Sequence, residues 1–431
     1  MGTSQPRGRS RTAALANLTV SALGAFHAAN AAVGVDKRLP RAPLLGWPAM
    51  LRAELPLPYA AGVAARLALA ARAGAHRGPA GTTATALSLG TLAGLVALDR
   101  TARHTHVLVD RALDEGFAAA EDERSPALRA AEVRAGRPTS RTHQPGMPAY
   151  VAHILRSPAR LVETTVDYGP HGGANRLDIW RDPALPRDGA APLLLHVPGG
   201  AWQMAQKRGQ AHPLLARMAD LGWVIASMSY RTAPRDQWPA QIVDVKRAIA
   251  WLREHAAEYG ADPRFLAVTG GSAGGHLASL AAFTPGDPAY QPGFEDADTA
   301  IQAAIPMYGV YRWDNDTGTS DPGLVEMLER VVVGHPRSGN EQVFRQASPL
   351  HRIAAEAPPF FLSHGEFDSL VPVAGAREFV DTLREVSRQP VVYVELPHAR
   401  HVYDMVPSVR TEAVVDGVVR FLAAVRAGHH T

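Results

Sequence analysis

Residues 265–275 read FLAVTGGSAGG, an apolar, β-rich run that passes through glycines into a helical stretch. The pattern G-x-S-x-G between a strand and a helix predicts a tight turn that presents the Ser272 hydroxyl at the edge of a sheet. The flanking glycines leave room for neighbouring backbone, and the amides at the start of the helix favour developing negative charge. We therefore predict that Ser272 is a nucleophile; the alternative is an ordinary glycine-rich turn before a helix.

Outward from this stretch the chain alternates between predicted strands and helices. The predicted strands are residues 193–197, 223–229, 265–269, 301–308, 360–363 and 391–396. The predicted helices are residues 211–221, 241–259, 274–282 and 374–386. Strands that alternate with helices indicate a mostly parallel sheet covered by helices on both faces. The fold class predicted for this part of the chain is therefore α/β.

A serine nucleophile needs a base, and the base needs a carboxylate that orients it. Asp368 follows the predicted strand 360–363 in the segment HGEFD, and His401 follows the strand 391–396 in the segment LPHARH. Both positions lie at the carboxyl ends of strands and follow the serine in the order acid, then histidine. The sequence thus predicts Ser272, Asp368 and His401 as the catalytic residues.

Neighbouring residues offer alternatives to two of these assignments. Glu366, two residues before Asp368, is an alternative acid, and His398, directly after a proline, is an alternative base. We expect His364 and His276 to be structural, because they lie where they can pack under the site or bond to its loops.

Acyl transfer also needs backbone amides that point at the oxyanion. The small residues of PGGAW at 198–202 follow the predicted strand 193–197, and small residues let backbone approach a ligand closely. With the Ala273 amide, this loop predicts an oxyanion hole. Trp202 is expected to wall a substrate pocket, with core packing as the alternative. A helix-like segment at 324–332 is a candidate lid.

The composition excludes several classes of function. The 431-residue chain is 46% hydrophobic and has a net charge of +3, so it can bury a large core over two or three domains. It has no cysteine, which excludes disulfides, thiolate metal sites and a thiol nucleophile. No basic run is interleaved with aromatic residues, so we expect no nucleic-acid partner. We also expect no metal and no cofactor.

The first 150 residues differ from the rest. Arg7, Arg9 and Arg11 precede an uncharged stretch at 12–35, and a second uncharged stretch covers 78–98. The basic start before the first stretch suggests a signal peptide or anchor, and the second stretch is about long enough to cross a bilayer as a helix. Ala-rich helices packed on the rest of the protein are the alternative. Residues 118–137 predict a charged helix and 138–148 a linker. We therefore predict an N-terminal helical domain at 1–150, which is membrane-associated or forms a cap, and a catalytic domain at 151–431. The expected location of the protein is a membrane or the cell envelope, or the cytoplasm.

From about residue 160 to 425 the chain resembles the α/β-hydrolases of the hormone-sensitive-lipase-like carboxylesterase group, especially actinobacterial, mycobacterial Lip-type esterases. The matching segments are VPGGAW, SYRTAP, GGSAGGH, HGEFDSLVPV and ELP followed by His401. The resemblance implies an α/β-hydrolase fold and a carboxylesterase or lipase that uses Ser272, Asp368 and His401 without a cofactor on a small-molecule or lipid ester. It also implies oxyanion amides at Gly200, Ala201 and Ala273.

The chain departs from the family pattern at three places. The usual H-G-G-G-W reads PGGAW here, with His196 two residues earlier, and Gly271 replaces the common Asp before the serine. The acid segment DSLVP is also found in peptidase-like and feruloyl-esterase-like relatives. GGAW further resembles prenylcysteine methylesterases, which carry an N-terminal membrane region. A serine amidase or peptidase, a prenylcysteine-methylesterase-like enzyme and a non-catalytic binding protein on this fold are the alternative functions.

Overall fold

The alternating pattern forms one eight-stranded sheet in the computed structural model, which describes residues 6–34, 43–119, 161–187, 189–318 and 320–429. Its strands are β1 (Leu161–Asp167), β2 (Arg176–Trp180), β3 (Ala191–Val197), β4 (Val224–Met228), β5 (Ala261–Gly271), β6 (Ala303–Met307), β7 (Phe360–Gly365) and β8 (Val391–Leu396). The spatial order is β1-β2-β4-β3-β5-β6-β7-β8, and β3 to β8 are parallel. β1 and β2 add an antiparallel edge. The predicted α/β class and all six predicted strands are confirmed.

The N-terminal region contains four helices, α1 (Pro6–Val33), α2 (Pro43–Glu54), α3 (Pro56–Arg72) and α4 (Gly78–Ala118). Around the sheet lie α5 (His212–Asp220), α6 (Ala240–His255), α7 (Ala273–Phe283), α8 (Pro322–Met327), α9 (Glu341–Ala347), α10 (Val373–Val386) and α11 (Val409–His429). α6 shows why these segments are helical. Ile242, Val245, Ile249 and Leu252 recur at helical spacing, and all four are fully buried against the sheet.

The second half of α4 belongs to the core of the sheet. Val109, Leu113 and Phe117 are buried in one cluster with residues of β7, β8 and α11. The packing is close, because a Cβ at Gly116 would lie 2.7 Å from the Val392 Cγ2 atom. Helical residues on the N-terminal side of the predicted boundary therefore pack into the catalytic domain. The predicted linker, the boundary near 150 and the predicted charged helix beyond residue 119 lie outside the described residues, so the division into two domains stays a prediction.

Candidate active site

Ser272 lies in the turn between β5 and α7. Its φ of +57° and ψ of −122° are strained for a residue with a side chain, and its N–H donates to the Met307 carbonyl at 3.0 Å. Neighbouring chain leaves no room for a side chain at two positions around it. A Cβ at Gly270 would come within 2.6 Å of the Val197 carbonyl oxygen, and one at Gly274 within 2.0 Å of the same atom. The glycine spacing is thus a consequence of β3 passing directly beside the turn.

Three loops at the carboxyl ends of β5, β7 and β8 bring the predicted serine, acid and histidine together. The His401 Nε2 atom lies 2.9 Å from the Ser272 Oγ atom, so the hydroxyl can donate to the ring. On the other side of the ring, Nδ1 donates to the Asp368 Oδ2 atom at 2.6 Å. Parallel strands end at one edge of the sheet, and this is why residues so distant in sequence meet there.

Asp368 is buried and held as a carboxylate. Its Oδ1 atom accepts the backbone N–H groups of Leu370 at 2.9 Å and Val371 at 2.8 Å. Burial alone would raise the pKa of Asp368, but the charges and hydrogen bonds of His401 and His364 hold that pKa well below its ordinary value. A carboxylate that stays ionised fixes the His401 proton on Nδ1 and leaves Nε2 free to accept the serine proton.

The two alternative residues are used elsewhere in the loops. The Glu366 carboxylate accepts the backbone N–H of His398 at 3.1 Å, so the two residues join the acid loop to the histidine loop. The His398 ring packs edge-on against Phe367, and burial lowers its pKa. The His401 Nε2 atom lies 2.9 Å from Ser272 Oγ, and its Nδ1 atom lies 2.6 Å from Asp368 Oδ2. These two distances favour His401 and Asp368 over the alternatives.

The other two histidines bond to backbone around the site. The His364 Nε2 atom donates to the Val371 carbonyl at 2.9 Å and lies 3.4 Å from the Asp368 Oδ2 atom. The buried His276 donates from Nε2 to the Ala347 carbonyl at 2.7 Å, and burial lowers its pKa to about 3. Both contacts are of the structural kind expected from the sequence.

The PGGAW loop lies against the serine turn. A Cβ at Gly199 would be 3.3 Å from the Ser272 Cβ atom, and Gly200 has a φ of +135°, a conformation open only to glycine. The Gly200 carbonyl accepts the N–H of Met204 at 2.9 Å, which closes the loop into a turn. Gly200 and Ala201 line the same cavity as Ser272. Ala273 is the first residue of α7, where backbone amides lack partners within the helix.

Trp202 does not lie where the sequence analysis expected it. Its side chain is only 1% exposed and does not line the Ser272 cavity. The indole Nε1 donates to His276 Nδ1 at 3.2 Å, and the ring packs edge-on against Trp313. The positive φ values of Ala201 and Trp202, +52° and +58°, turn the chain at this point. The expectation of a substrate contact is corrected to the alternative, core packing.

The cavity at Ser272 has a volume of about 450 Å³. Part of its wall comes from α2 in the N-terminal region, through Gly46, Trp47 and Met50. The candidate lid at 324–332 does not line it. That segment forms α8 and a π-helical turn at Leu328–Val333, and its Leu328 and Val332 side chains are buried in the main core. The covering element is therefore N-terminal and was not identified as such from the sequence.

In the part of the chain that the structure describes, no group of three or more His, Cys, Asp or Glu side chains is arranged to hold a metal ion.

Comparisons with known proteins identify the family of this chain. A family model described as BD-FAE matches residues 177–383. The probable carboxylic ester hydrolase LipM of Mycobacterium tuberculosis is 49% identical over 337 residues, which are 78% of this chain and 77% of LipM. The chain belongs to the hormone-sensitive-lipase-like carboxylesterases. These enzymes are ester hydrolases of the α/β-hydrolase fold, and this part of the sequence prediction is confirmed.

Two further matches extend the comparison. Esterase LipQ of M. tuberculosis is 49% identical to this carboxylesterase over 275 residues, 63% of the chain and 65% of LipQ. Among solved structures, a bifunctional GH43-CE protein of Bacteroides eggerthii matches with a TM-score of 0.53 at 24% identity, over 61% of this chain and 34% of that one. At that identity the structural likeness supports the fold alone.

Sequence reasoning missed two features that touch the site of the carboxylesterase. Gln210 accepts the Gly199 N–H at 2.8 Å and donates to the Gly199 carbonyl at 3.2 Å, which holds the PGGAW loop in place. The Tyr308 hydroxyl donates to the Asp404 Oδ1 atom at 2.5 Å, and its ring lies edge-on to the His401 ring with centroids 4.9 Å apart. Tyr308 is the last residue of the predicted strand 301–308, and this place at a strand end could have marked it; Gln210 carries no such signal.

Proposed function

We propose that this carboxylesterase hydrolyses carboxylic esters through a Ser272–His401–Asp368 triad and an acyl-enzyme. The observation that carries the proposal is the continuous chain of hydrogen bonds from Ser272 Oγ through the His401 ring to Asp368 at 2.9 and 2.6 Å. The Ser272 end of this series of hydrogen bonds lies in a cavity of about 450 Å³, a size within the range of small-molecule sites. A non-catalytic binding protein would have no need of such an arrangement.

In the first half-reaction, His401 takes the Ser272 proton while Oγ attacks the ester carbonyl carbon. The resulting oxyanion accepts hydrogen bonds from the amides of Gly200, Ala201 and Ala273; one such donor contributes on the order of 3 kcal/mol to lowering the barrier. His401 then donates its proton to the departing alcohol, which leaves an ester between the acyl group and Ser272.

In the second half-reaction, His401 removes a proton from water, and the water oxygen attacks the acyl carbon. The tetrahedral intermediate collapses, Ser272 recovers its proton, and the carboxylic acid leaves. Asp368 remains ionised throughout and stabilises the imidazolium that forms twice in each cycle. Every proton is carried by these side chains and water.

The test is hydrolysis of nitrophenyl esters from acetyl to palmitoyl by the full chain, beside Ser272→Ala. Ser279→Ala is the matched control, because Ser279 is a buried serine on α7 that bonds only within the helix turn, to the Gly275 carbonyl. We expect ester hydrolysis that Ser272→Ala abolishes and Ser279→Ala retains. Hydrolysis of an anilide in the absence of any ester hydrolysis would support the amidase instead, and activity that survives Ser272→Ala would refute the triad.

A further inference from the structure

Large apolar side chains are exposed mainly in the N-terminal helices. Among the described residues, ten of them lie between residues 12 and 98 and five between 161 and 429. Leu69 is 64% exposed, Leu23 57% and Leu89 56%. Surface of this kind in one continuous region marks a site of contact with an apolar partner.

The buried face of these helices consists mainly of small and polar side chains, with Leu95 and Leu98 as the large apolar exceptions near the sheet. On α1 the buried residues recur at heptad spacing as Ala14, Ser21 and Ala28. On the first part of α4 the buried residues are Gly81, Ala84, Ser88, Thr91, Leu95 and Leu98. We call α1, α3 and residues 78–98 of α4 the bundle. With small and polar residues inside and large apolar residues outside, it is inverted relative to a water-soluble bundle. Helices that pack within lipid have this arrangement, because close backbone contact and hydrogen bonds hold them together there.

Arg66 is the one charged residue among residues 12–33, 56–71 and 78–98. Its guanidinium points into the bundle and donates to the side chains of Asn17 at 2.5 Å, Ser21 at 2.7 Å and Ser88 at 2.7 Å. A charge in a membrane is tolerated when it faces the bundle interior with partners of this kind. The same contacts join α1, α3 and α4 to one another.

The apolar lengths match a bilayer. The uncharged part of α1, Thr12–Val33, has 22 residues with mean hydropathy 1.2, and its length of about 33 Å compares with a hydrocarbon core of about 30 Å. The uncharged start of α4, residues 78–98, is about 32 Å long by the same rise. α3 has 17 residues, or about 25 Å, which is the short end of the range for a membrane helix. The most apolar stretches of α1 and α4 are mostly exposed, because only 17% of the first and 33% of the second is buried, whereas a core helix is mostly buried.

Charged residues mark both ends of this apolar layer. Asn30 of α1 contacts the catalytic domain, so the start of α1 and the turn between α3 and α4 lie at the opposite end. That distal end has Arg7, Arg9 and Arg11 in sequence on α1, and Arg72 and Arg77 beside the turn. At the proximal end, Asp99 and Arg103 of α4 pair at 2.7 Å where the helix reaches the sheet. Basic residues at helix ends are typical of segments that cross a bilayer.

α2 connects this bundle to the catalytic cavity. It lies between α1 and α3 at the proximal end, and its Gly46, Trp47 and Met50 line the cavity that contains Ser272. Trp47 is 49% exposed, as expected for an indole at a boundary between lipid and water. The position of α2 is fixed, because the buried Glu54 carboxylate at its end pairs with Arg410 and accepts from Ser408 at 2.6 Å.

We propose that α1, α3 and residues 78–98 of α4 cross a lipid bilayer, and that α2 places the mouth of the catalytic cavity at the bilayer surface. The substrate is then an ester dissolved in the membrane, which reaches Ser272 past Trp47 and Met50. This statement about the substrate rests on the proposed ester hydrolysis; the statement about the bilayer does not.

Trp47 provides a direct test, because it is the one tryptophan that the proposal places at the bilayer surface. The other six tryptophans all follow residue 161, in the catalytic domain. The full chain carrying Ser272→Ala is reconstituted in phosphatidylcholine vesicles whose acyl chains are brominated either near the headgroup or at the chain ends. We expect tryptophan fluorescence to be quenched, more strongly by the bromine near the headgroup, and we expect Trp47→Phe to remove most of this quenching. Because the protein is inactive, the outcome is independent of the proposed chemistry.

Two results would overturn the proposal. One is fluorescence equal to that in unbrominated vesicles, or quenching that Trp47→Phe does not change. The other is recovery of the full chain as a water-soluble oligomer that does not bind vesicles, which would mean that a second copy covers the apolar surface.

A charge on the bundle surface gives a second readout. Leu23→Arg with Leu89→Arg is compared with Leu221→Arg with Val386→Arg, which puts the same two charges on catalytic-domain side chains that are 52% and 40% exposed. We expect the fraction of protein retained in membranes after an alkaline carbonate wash to fall at least tenfold for the bundle variant only. Equal retention of all three proteins, or release of the unsubstituted chain by the wash, would contradict the proposal.

Discussion

Replacing Asp368 by asparagine should inactivate the enzyme by inverting the hydrogen bonds of His401. The Oδ1 atom of Asp368 accepts two backbone N–H groups, at 2.9 and 2.8 Å, while Oδ2 accepts from His401 Nδ1 at 2.6 Å. The asparagine oxygen must stay with the two backbone donors, so its NH₂ group faces Nδ1. Nδ1 must then accept, the ring proton moves to Nε2, and Nε2 can no longer take the Ser272 proton.

The expected loss follows from that change of tautomer. A triad with the wrong histidine tautomer loses about 10⁴ in kcat, which corresponds to about 5.5 kcal/mol at about 1.4 kcal/mol for each factor of ten. KM should change little, because the carboxylate is buried behind the ring and away from the substrate. The assay is kcat and KM for nitrophenyl butyrate, with the circular dichroism spectrum and Tm as measures of folding.

Glu366→Gln is the matched control for this substitution. Glu366 was the alternative acid, and a glutamine keeps an oxygen that can accept the His398 N–H. We expect kcat within a few fold of the unsubstituted enzyme. A kcat for Asp368→Asn within tenfold of the unsubstituted value, or a thousandfold loss in Glu366→Gln with native folding, would refute the assignment of the acid.

Three further predictions concern residues around the site and the fold. Gln210→Ala removes both hydrogen bonds to Gly199 and should lower kcat roughly 10- to 100-fold, less than the 10²–10³-fold loss of a whole oxyanion donor. Gln210→Glu keeps the oxygen that accepts the Gly199 N–H and should lower kcat less. An unchanged kcat in both variants would contradict this role. Arg410→Met leaves the buried Glu54 carboxylate without its ion-pair partner and should destabilise the fold by about 3–5 kcal/mol, measured as a lower Tm. Adding Glu54→Leu to the same chain should largely restore Tm. An unchanged Tm in Arg410→Met alone would contradict a stabilising role for this ion pair. Burial raises the pKa of Asp416 to about 6, so the stabilisation it gives is complete below its ordinary pKa of 3.8 and is lost as pH rises through 6. Asp416→Asn should therefore raise Tm more at about pH 7.5 than at about pH 4, and the opposite trend would contradict this origin of the shift.

The parallel part of the sheet could be predicted because its strands are continuous apolar runs. β3, for example, is buried at every position, and a strand buried on both sides has no polar residue to interrupt it. β2 was missed because it has Asp178 at its centre. That side chain is fully buried, and the Arg208 Nε atom donates to it at 2.6 Å from a loop. The partner that makes a buried carboxylate tolerable is about thirty positions away, so the local pattern does not indicate a strand.

The candidate site could be predicted where it depends on strand ends and not where it depends on side-chain direction. Ser272, Asp368 and His401 each follow a strand of one parallel sheet, so the topology alone brings them to one edge. Trp202 is adjacent to the predicted oxyanion loop in sequence, but the backbone turn at Ala201 and Trp202 directs its side chain into the core. The contribution of α2 to the cavity depends on packing against loops that follow it by more than about 140 residues, and no local pattern encodes it.

The N-terminal helices help to position His401 because they supply hydrogen-bond acceptors to two buried guanidinium groups in the segment that carries it. The Arg400 guanidinium, directly before the histidine, donates to the Asn30 carbonyl of α1 at 2.6 Å. Arg410, whose side chain is fully buried, donates to the Pro397 carbonyl at 3.1 Å and pairs with Glu54 of α2. Buried guanidinium groups are stable only with such partners. Without α1 and α2, two cations on either side of His401 would lose the acceptors that these helices supply. The position of His401, the proposed base, relative to Ser272 therefore depends on helices that lie outside the hydrolase sheet.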